Sequence, residues 1–221
     1  MGGGISKLAL PKKKSQFSPK MNGASPTRHE WEIGLSAWVI QDGNYPDFEA
    51  GKLAGFALEF SSESFRSGGP KSKTAKPLGE AKYEVNSQII YLAADAWIID
   101  FGICAFQEST PPKNLNVGDF VAAEIYLGID PFFYFGRLNR LPGIPPLVYS
   151  WKVNSIKRQT APFVETQDPS GRKVPVRDQV KAGYKARQVA DAWKDDDGHA
   201  EYVLNCAWLE VAPKFDGVTA T

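Results

Sequence analysis

The sequence predicts a mainly antiparallel all-β fold, a barrel or sandwich with long loops and little helix. Three observations carry that expectation. Apolar residues recur at every second position in several segments, most clearly 83–91, 97–103 and 121–129. Clusters of Gly, Pro, Asp, Asn and Ser separate those segments. No window sustains a 3.6-residue period; 176–193 is the best helical candidate, and its periodicity is poor.

Residues 1–27 carry Gly2, Gly3, Gly4, then Lys12, Lys13, Lys14, with Pro11, Pro19 and Pro26, and have no apolar period. They are expected to be a disordered basic tail. A single mainly β domain is expected over 28–214, with a C-terminal tail at 215–221. From Trp31 to Val39 the odd positions Trp31, Ile33, Leu35, Ala37 and Val39 form one strand face. After the turn 41–46, Lys52 to Phe60 places Ala54, Phe56, Leu58 and Phe60 on a second face. Residues 61–80 read as a solvated loop with Lys71, Lys73 and Lys76. Tyr83, Val85, Ile89 and Tyr91 share a face, and Ala93-Ala94-Asp95 turns the chain. Trp97, Ile99, Phe101 and Ile103 then point inward, with Asp100 outward. Val121, Ala123, Ile125, Leu127 and Ile129 point inward, with Phe120, Glu124, Tyr126 and Asp130 outward, as in an antiparallel meander. The proline-rich, aromatic stretch 131–146 reads as an irregular loop that packs apolar side chains. Leu147, Tyr149, Trp151 and Val153 resume the alternation. A turn is expected at Asp168-Pro169-Ser170-Gly171. Gln188–Lys194 and Glu201–Val211 are expected to form a hairpin through Asp195-Asp196-Asp197-Gly198. The near-identical AADAW (93–97) and VADAW (189–193) are too short to establish a duplicated barrel.

Charge and composition exclude more than they identify. The chain has 221 residues, 26 basic and 25 acidic, so bulk electrostatics give no reason to expect nucleic acid. The longest apolar stretch, 89–106, is broken by Asp95 and Asp100. A charge at the centre of a spanning helix costs about 2.5–3.5 kcal/mol, so no transmembrane segment is expected. No secretory signal is found, and a cytoplasmic location is expected. Cys104 and Cys206 read as free thiols of a reducing compartment, although a bridge between neighbouring strands is the alternative. MGGGIS fits a myristoylation pattern at Gly2, and PKKKS resembles half of a nuclear localisation signal; both motifs are short.

Val117-Gly118-Asp119 before a strand and Ile129-Asp130 soon after carry a resemblance. Residues 83–130 resemble the first three strands of an OB-fold barrel, and are similar to the RNA-binding barrels first described in a ribosomal protein. The resemblance covers under a quarter of the chain. It implies an OB-like barrel with fourth and fifth strands at 147–158 and 201–211. It also implies single-stranded nucleic acid as a ligand, met by aromatics such as Phe106, Phe120 and Tyr126. Asp100 and Glu124 would share that face, however, and carboxylates repel phosphate.

Chemistry-bearing motifs are sparse. His29 and His199 are the only histidines, and no zinc spacing, Gly-x-Ser-x-Gly or phosphate loop exists. Asp195, Asp196 and Asp197 with His199 could hold a cation, but they read as a solvated hairpin tip. Carboxylate pairs such as Asp95 with Asp100 already serve turns or the surface. No cofactor, metal site or catalytic residue is therefore expected. The expected function is a non-catalytic β-barrel binding module for a protein partner, with single-stranded nucleic acid second. The binding candidates are Phe106, Phe120, Glu124, Tyr126, Lys71, Lys73 and Lys76. The alternative is a carbohydrate-binding or carbohydrate-active β-sandwich stacking sugars on Trp38 or Trp151.

Overall fold

The computed structural model describes residues 30–209 except 63 and 182. The predicted tails, with the myristoylation and nuclear-signal motifs, lie outside the described residues. The fold is predominantly β, with fourteen strands among the described residues. In chain order they are β1 (Glu30–Ser36), β2 (Leu53–Phe56), β3 (Leu58–Ser61), β4 (Phe65–Ser67), β5 (Thr74–Gly79), β6 (Lys82–Leu92) and β7 (Trp97–Asp100). There follow β8 (Cys104–Gln107), β9 (Phe120–Ile129), β10 (Tyr149–Gln159), β11 (Phe163–Gln167), β12 (Lys173–Arg177), β13 (Tyr184–Arg187) and β14 (Glu201–Leu209). Two short helices, α1 (Ala37–Gln41) and α2 (Phe133–Gly136), interrupt them.

Five strands close a barrel in the order β3-β8-β7-β6-β9, with β9 bonded to both β6 and β3. The sheet is mixed, because β1 meets β9 and β3 meets β8 in parallel. From β9 the sheet continues through β1, β14 and β10. β10 returns to β2, which runs through Ala57 into β3. The pairings thus trace a second ring that shares the β3–β9 pair with the first. One buried cluster runs through both rings, from Trp151 and Leu204 to Trp97 and Ile125. Tyr83 fastens them together: its hydroxyl donates to Glu32 O and accepts from Glu32 N–H.

Alternation held where one face meets this core. Val121, Ala123, Ile125, Leu127 and Ile129 are buried, as are Phe56, Leu58 and Phe60. It misled where the backbone changes geometry. The first strand stops at Ser36 rather than Val39, and one helical turn buries Ala37, Val39 and Ile40 together; a strand would send Val39 and Ile40 to opposite faces. Gln41 secures that turn by donating to Ala192 O and Gly198 O. The strand expected to run on to Ile103 turns at Gly102 (φ 116°), though Phe101 and Ile103 still reach the core. A register shift between Ile89 and Tyr91 re-aims Tyr91 toward the outside of the barrel. There it joins a satellite core of Ala57, Ile98, Phe106, Tyr134, Leu138 and Leu147 under the segment 131–147. The face of Asp100 and Ile98, expected to meet solvent, is therefore partly covered.

Exposed strands escaped the pattern. The expected loop 61–80 contains β4 and β5, and β12 and β13 follow the expected turn at Asp168–Gly171, because exposed strands bury too little to show alternation. Among the described residues of 176–193 no helix forms beyond a 3-10 turn. The expected meander is not sequential either, since β9 pairs with β6 and not with β8. Residues 58–61 close the five-stranded barrel in place of 147–158 and 201–211, which build the second ring.

The hairpin expected at 188–211 is also corrected. β14 pairs with β1 and β10, and Asp195–Gly198 is a 3-10 turn. Asp195 is buried rather than solvated. Its carboxylate accepts from Arg187 Nε and the Tyr202 hydroxyl, both at 3.0 Å, and lies 3.5 Å from Arg158. Asp196 pairs with Arg177. Those aspartates anchor the fold.

Phe101→Asp is expected to unfold the protein, because burying an unpaired carboxylate costs more than about 4 kcal/mol. Asp100→Ser loses a partly exposed bond to Lys73 and should cost about 1 kcal/mol or less. Urea melts of the two variants check the register of this hairpin.

Candidate functional site

The outward side chains of β9 lie among those of β6 and β3. Tyr126 stands opposite Lys82 on one side and Ser61 on the other, Glu124 opposite Glu84, and Phe120 opposite Gln88. Glu124 is exposed, Tyr126 is 37% exposed and Phe120 is half-buried. Three open grooves meet at Tyr126. One, of about 210 Å³, runs past Glu80, Lys82, Tyr184 and Glu201. A second, of about 440 Å³, is bounded by Ser61, Ser62, Ser64 and Glu124. The third, of about 220 Å³, is lined by Glu59, Gln107, Glu108, Gly128 and Phe133.

Tyr126 reaches this junction because β1 passes beneath it with no side chain. A Cβ on Gly34 would lie 1.7 Å from the Tyr126 hydroxyl oxygen, so only glycine fits under the resting ring. The ring edge also approaches Gly128, where a Cβ would sit 3.7 Å from it. The phenol end is enclosed although the ring is partly exposed. Burial, then Glu201, Tyr184 and Glu59, push its pKa up.

Carboxylates dominate the electrostatics. Burial, Asp130 and Glu108 push the Glu59 carboxyl up to about 7. Asp130, expected to point outward, is instead fully buried, because it lies just past the end of β9 and its carboxylate turns to accept the N–H groups of Phe133 and Tyr134; burial outweighs those bonds and pushes it up to about 7 as well. Tyr45, whose hydroxyl has no hydrogen-bond partner among the described residues, is raised by burial and by these two acids. Glu201 is raised by burial even though Ser36 Oγ donates to it at 2.7 Å. Tyr184 is pushed up to about 12 by burial and Glu80. Glu108 is bonded to Arg137, which also holds Asp95. Lys82 is the one cation among the described lining residues of the three grooves.

Of the residues singled out from sequence, the structure gathers Glu124 and Tyr126 at the grooves and leaves Phe120 at the far end of the same face. Phe106 is corrected: it is fully buried in the satellite core, because β8 turns that side toward residues 131–147. Lys71 is exposed in a loop, Lys73 bonds Asp100, and Lys76 on β5 lies 3.5 Å from Glu84. Trp151 is no stacking platform either, since it is fully buried and stacks on Phe56 at 5.4 Å. Trp38 is 50% exposed on α1, and Trp193 is 68% exposed. Both cysteines are free, Cys206 buried and Cys104 half-buried, each with its thiol pushed up by burial.

Gly34, Glu59, Glu80, Asp130, Tyr184 and Glu201 entered the site unforeseen. Gly34 had a signal, since an isolated glycine inside an alternating strand marks a close approach. The others had none, because strands far apart in sequence bring them together. Among the described residues no group of three or more His, Cys, Asp or Glu is placed to hold a metal ion. No described helix is long and apolar enough to cross a membrane. No protein-family model, curated protein or solved structure matches the chain.

The raised carboxyls set a pH dependence. Glu59 and Asp130 hold their protons to about pH 7 when folded, and lose them in the ordinary carboxylate range when unfolded. The folded state binds more protons between those limits, so stability is highest at the acid end and falls as pH rises toward 7. Urea midpoints are expected to fall from about pH 5 to about pH 7.5. Glu59→Gln should flatten part of that slope and raise the midpoint at pH 8.

Proposed function

We propose that the protein is a non-catalytic β-barrel binding module whose Tyr126 face takes an extended, Lys- or Arg-rich segment of a protein partner. The observation that carries this is the convergence of three open grooves on one partly exposed tyrosine among Glu59, Glu80, Glu124 and Glu201. An aromatic ring supplies contact area and a face for a cation. Carboxylates supply charge-assisted bonds to ammonium or guanidinium groups. The same carboxylates disfavour the phosphates of single-stranded nucleic acid, so the ligand implied by the OB-like resemblance ranks second. A cytoplasmic location belongs to the same proposal and rests on the free thiols.

Sugar binding retains one specific support in the exposed rings of Trp38 and Trp193. Gln41 of α1 bonds the carbonyl of Ala192, which ties the segments bearing the two rings together. Quenching of tryptophan fluorescence by oligosaccharides, lost in Trp193→Ala, would favour that alternative.

The proposal predicts that a fluorescent Lys/Arg-rich peptide binds the protein and weakens as salt is raised. Glu124→Lys should lower that affinity by about tenfold with an unchanged melt. Gly34→Ala should weaken binding as well, by displacing the Tyr126 ring. It should leave the melt nearly unchanged, because the clash is with the far end of a movable side chain. A single-stranded oligonucleotide held by this face in place of the peptide would overturn the proposal.

A further inference from the structure

The outer face of β6 and β9 is exposed at Lys82, Glu84, Glu124 and Tyr126, and the sequence carries a segment of complementary charge. Residues 1–29 contain six Lys or Arg and no Asp or Glu, while the rest of the chain holds twenty basic and twenty-five acidic residues. The near-neutral total thus conceals a basic segment joined to an acidic body. The join lies close to the face. β1 starts at Glu30, four residues before Gly34, which lies under Tyr126. That span is about 13 Å at strand rise. Lys20 and the run Lys12–Lys14 precede Glu30 by ten and by sixteen to eighteen residues. At about 3.3–3.6 Å per extended residue, either reaches every groove.

We propose that residues 1–29 dock in cis on the Tyr126 face and occupy the grooves that a basic partner segment would enter. This rests on the reading of the face as a site for Lys/Arg-rich chains. Tethering places the segment at millimolar effective concentration, so even weak pairing with Glu59, Glu124 and Glu201 fills the site. A partner must then displace the segment, and the face is self-inhibited until it does.

The test uses full-length chains and a labelled synthetic peptide of residues 5–22, followed by anisotropy at low salt. A variant carrying Lys12→Glu, Lys13→Glu and Lys14→Glu is expected to bind the peptide at least about tenfold tighter than the native chain, because its own segment no longer competes. Adding Glu124→Lys to that variant should abolish the gain, with melts confirming that it folds. Equal affinity of the native and triple-variant chains would overturn cis docking while leaving the binding proposal standing. Absence of peptide binding to both chains, with native melts, would overturn both. Concentration-dependent self-association of the native chain alone, seen by sedimentation, would place the segment on a second copy and overturn the cis arrangement.

Discussion

The pairing of Leu58–Ser61 with Tyr126–Ile129 is the constraint on which the rest of the structure depends. Both rings close through it, so its loss would open both. The strand that supplies it must serve two partners in succession. Leu53–Phe56 bonds β10, Leu58–Ser61 bonds β9, and Ala57 between them is fully buried against the satellite core. Its carbonyl accepts the Asp130 N–H at 3.0 Å, which fastens the bend to the end of β9. Phe56 then stacks on Trp151 in the second ring, while Phe60 meets Trp97 edge-on in the first.

That shared pair also creates the grooves. The ladder between β6 and β9 ends at Lys82 opposite Tyr126, and the bridge from β1 begins two residues on, at Gly34 opposite Gly128. The two neighbours diverge there, and Tyr126 covers the gap. On the other edge, Ser61 ends β3 opposite the same tyrosine, and β4 resumes only at Ala123. A change of strand partner on both edges of β9 leaves openings around one side chain. Acidic residues line those openings at a cost in stability. Glu59 and Glu201, which line them, and Asp130, whose charge acts on Glu59, are held where burial opposes their ionisation.

The sequence by itself determined the strand segments that meet the main core, because a buried face forces period-two alternation. Val121 through Ile129 is the clearest case, and the fold class follows from it. It also determined that Glu124 and Tyr126 point outward and that Asp168–Gly171 turns, with Gly171 N–H donating to Asp168 O. Tertiary structure alone decided which strands are neighbours. Alternation states a face and never a partner, so the closure by Leu58–Ser61 in place of 147–158 was hidden. Tertiary structure also decided that Phe106 is interior, because an outward strand face becomes core when residues 131–147 cover it. It placed Asp195 beside Arg158, Arg187 and Tyr202, which turned an apparent solvent tip into a buried anchor. Glu59 and Glu201 lie more than a hundred residues apart on β3 and β14, and the desolvation of both is a property of the assembled sheet that no local pattern encodes.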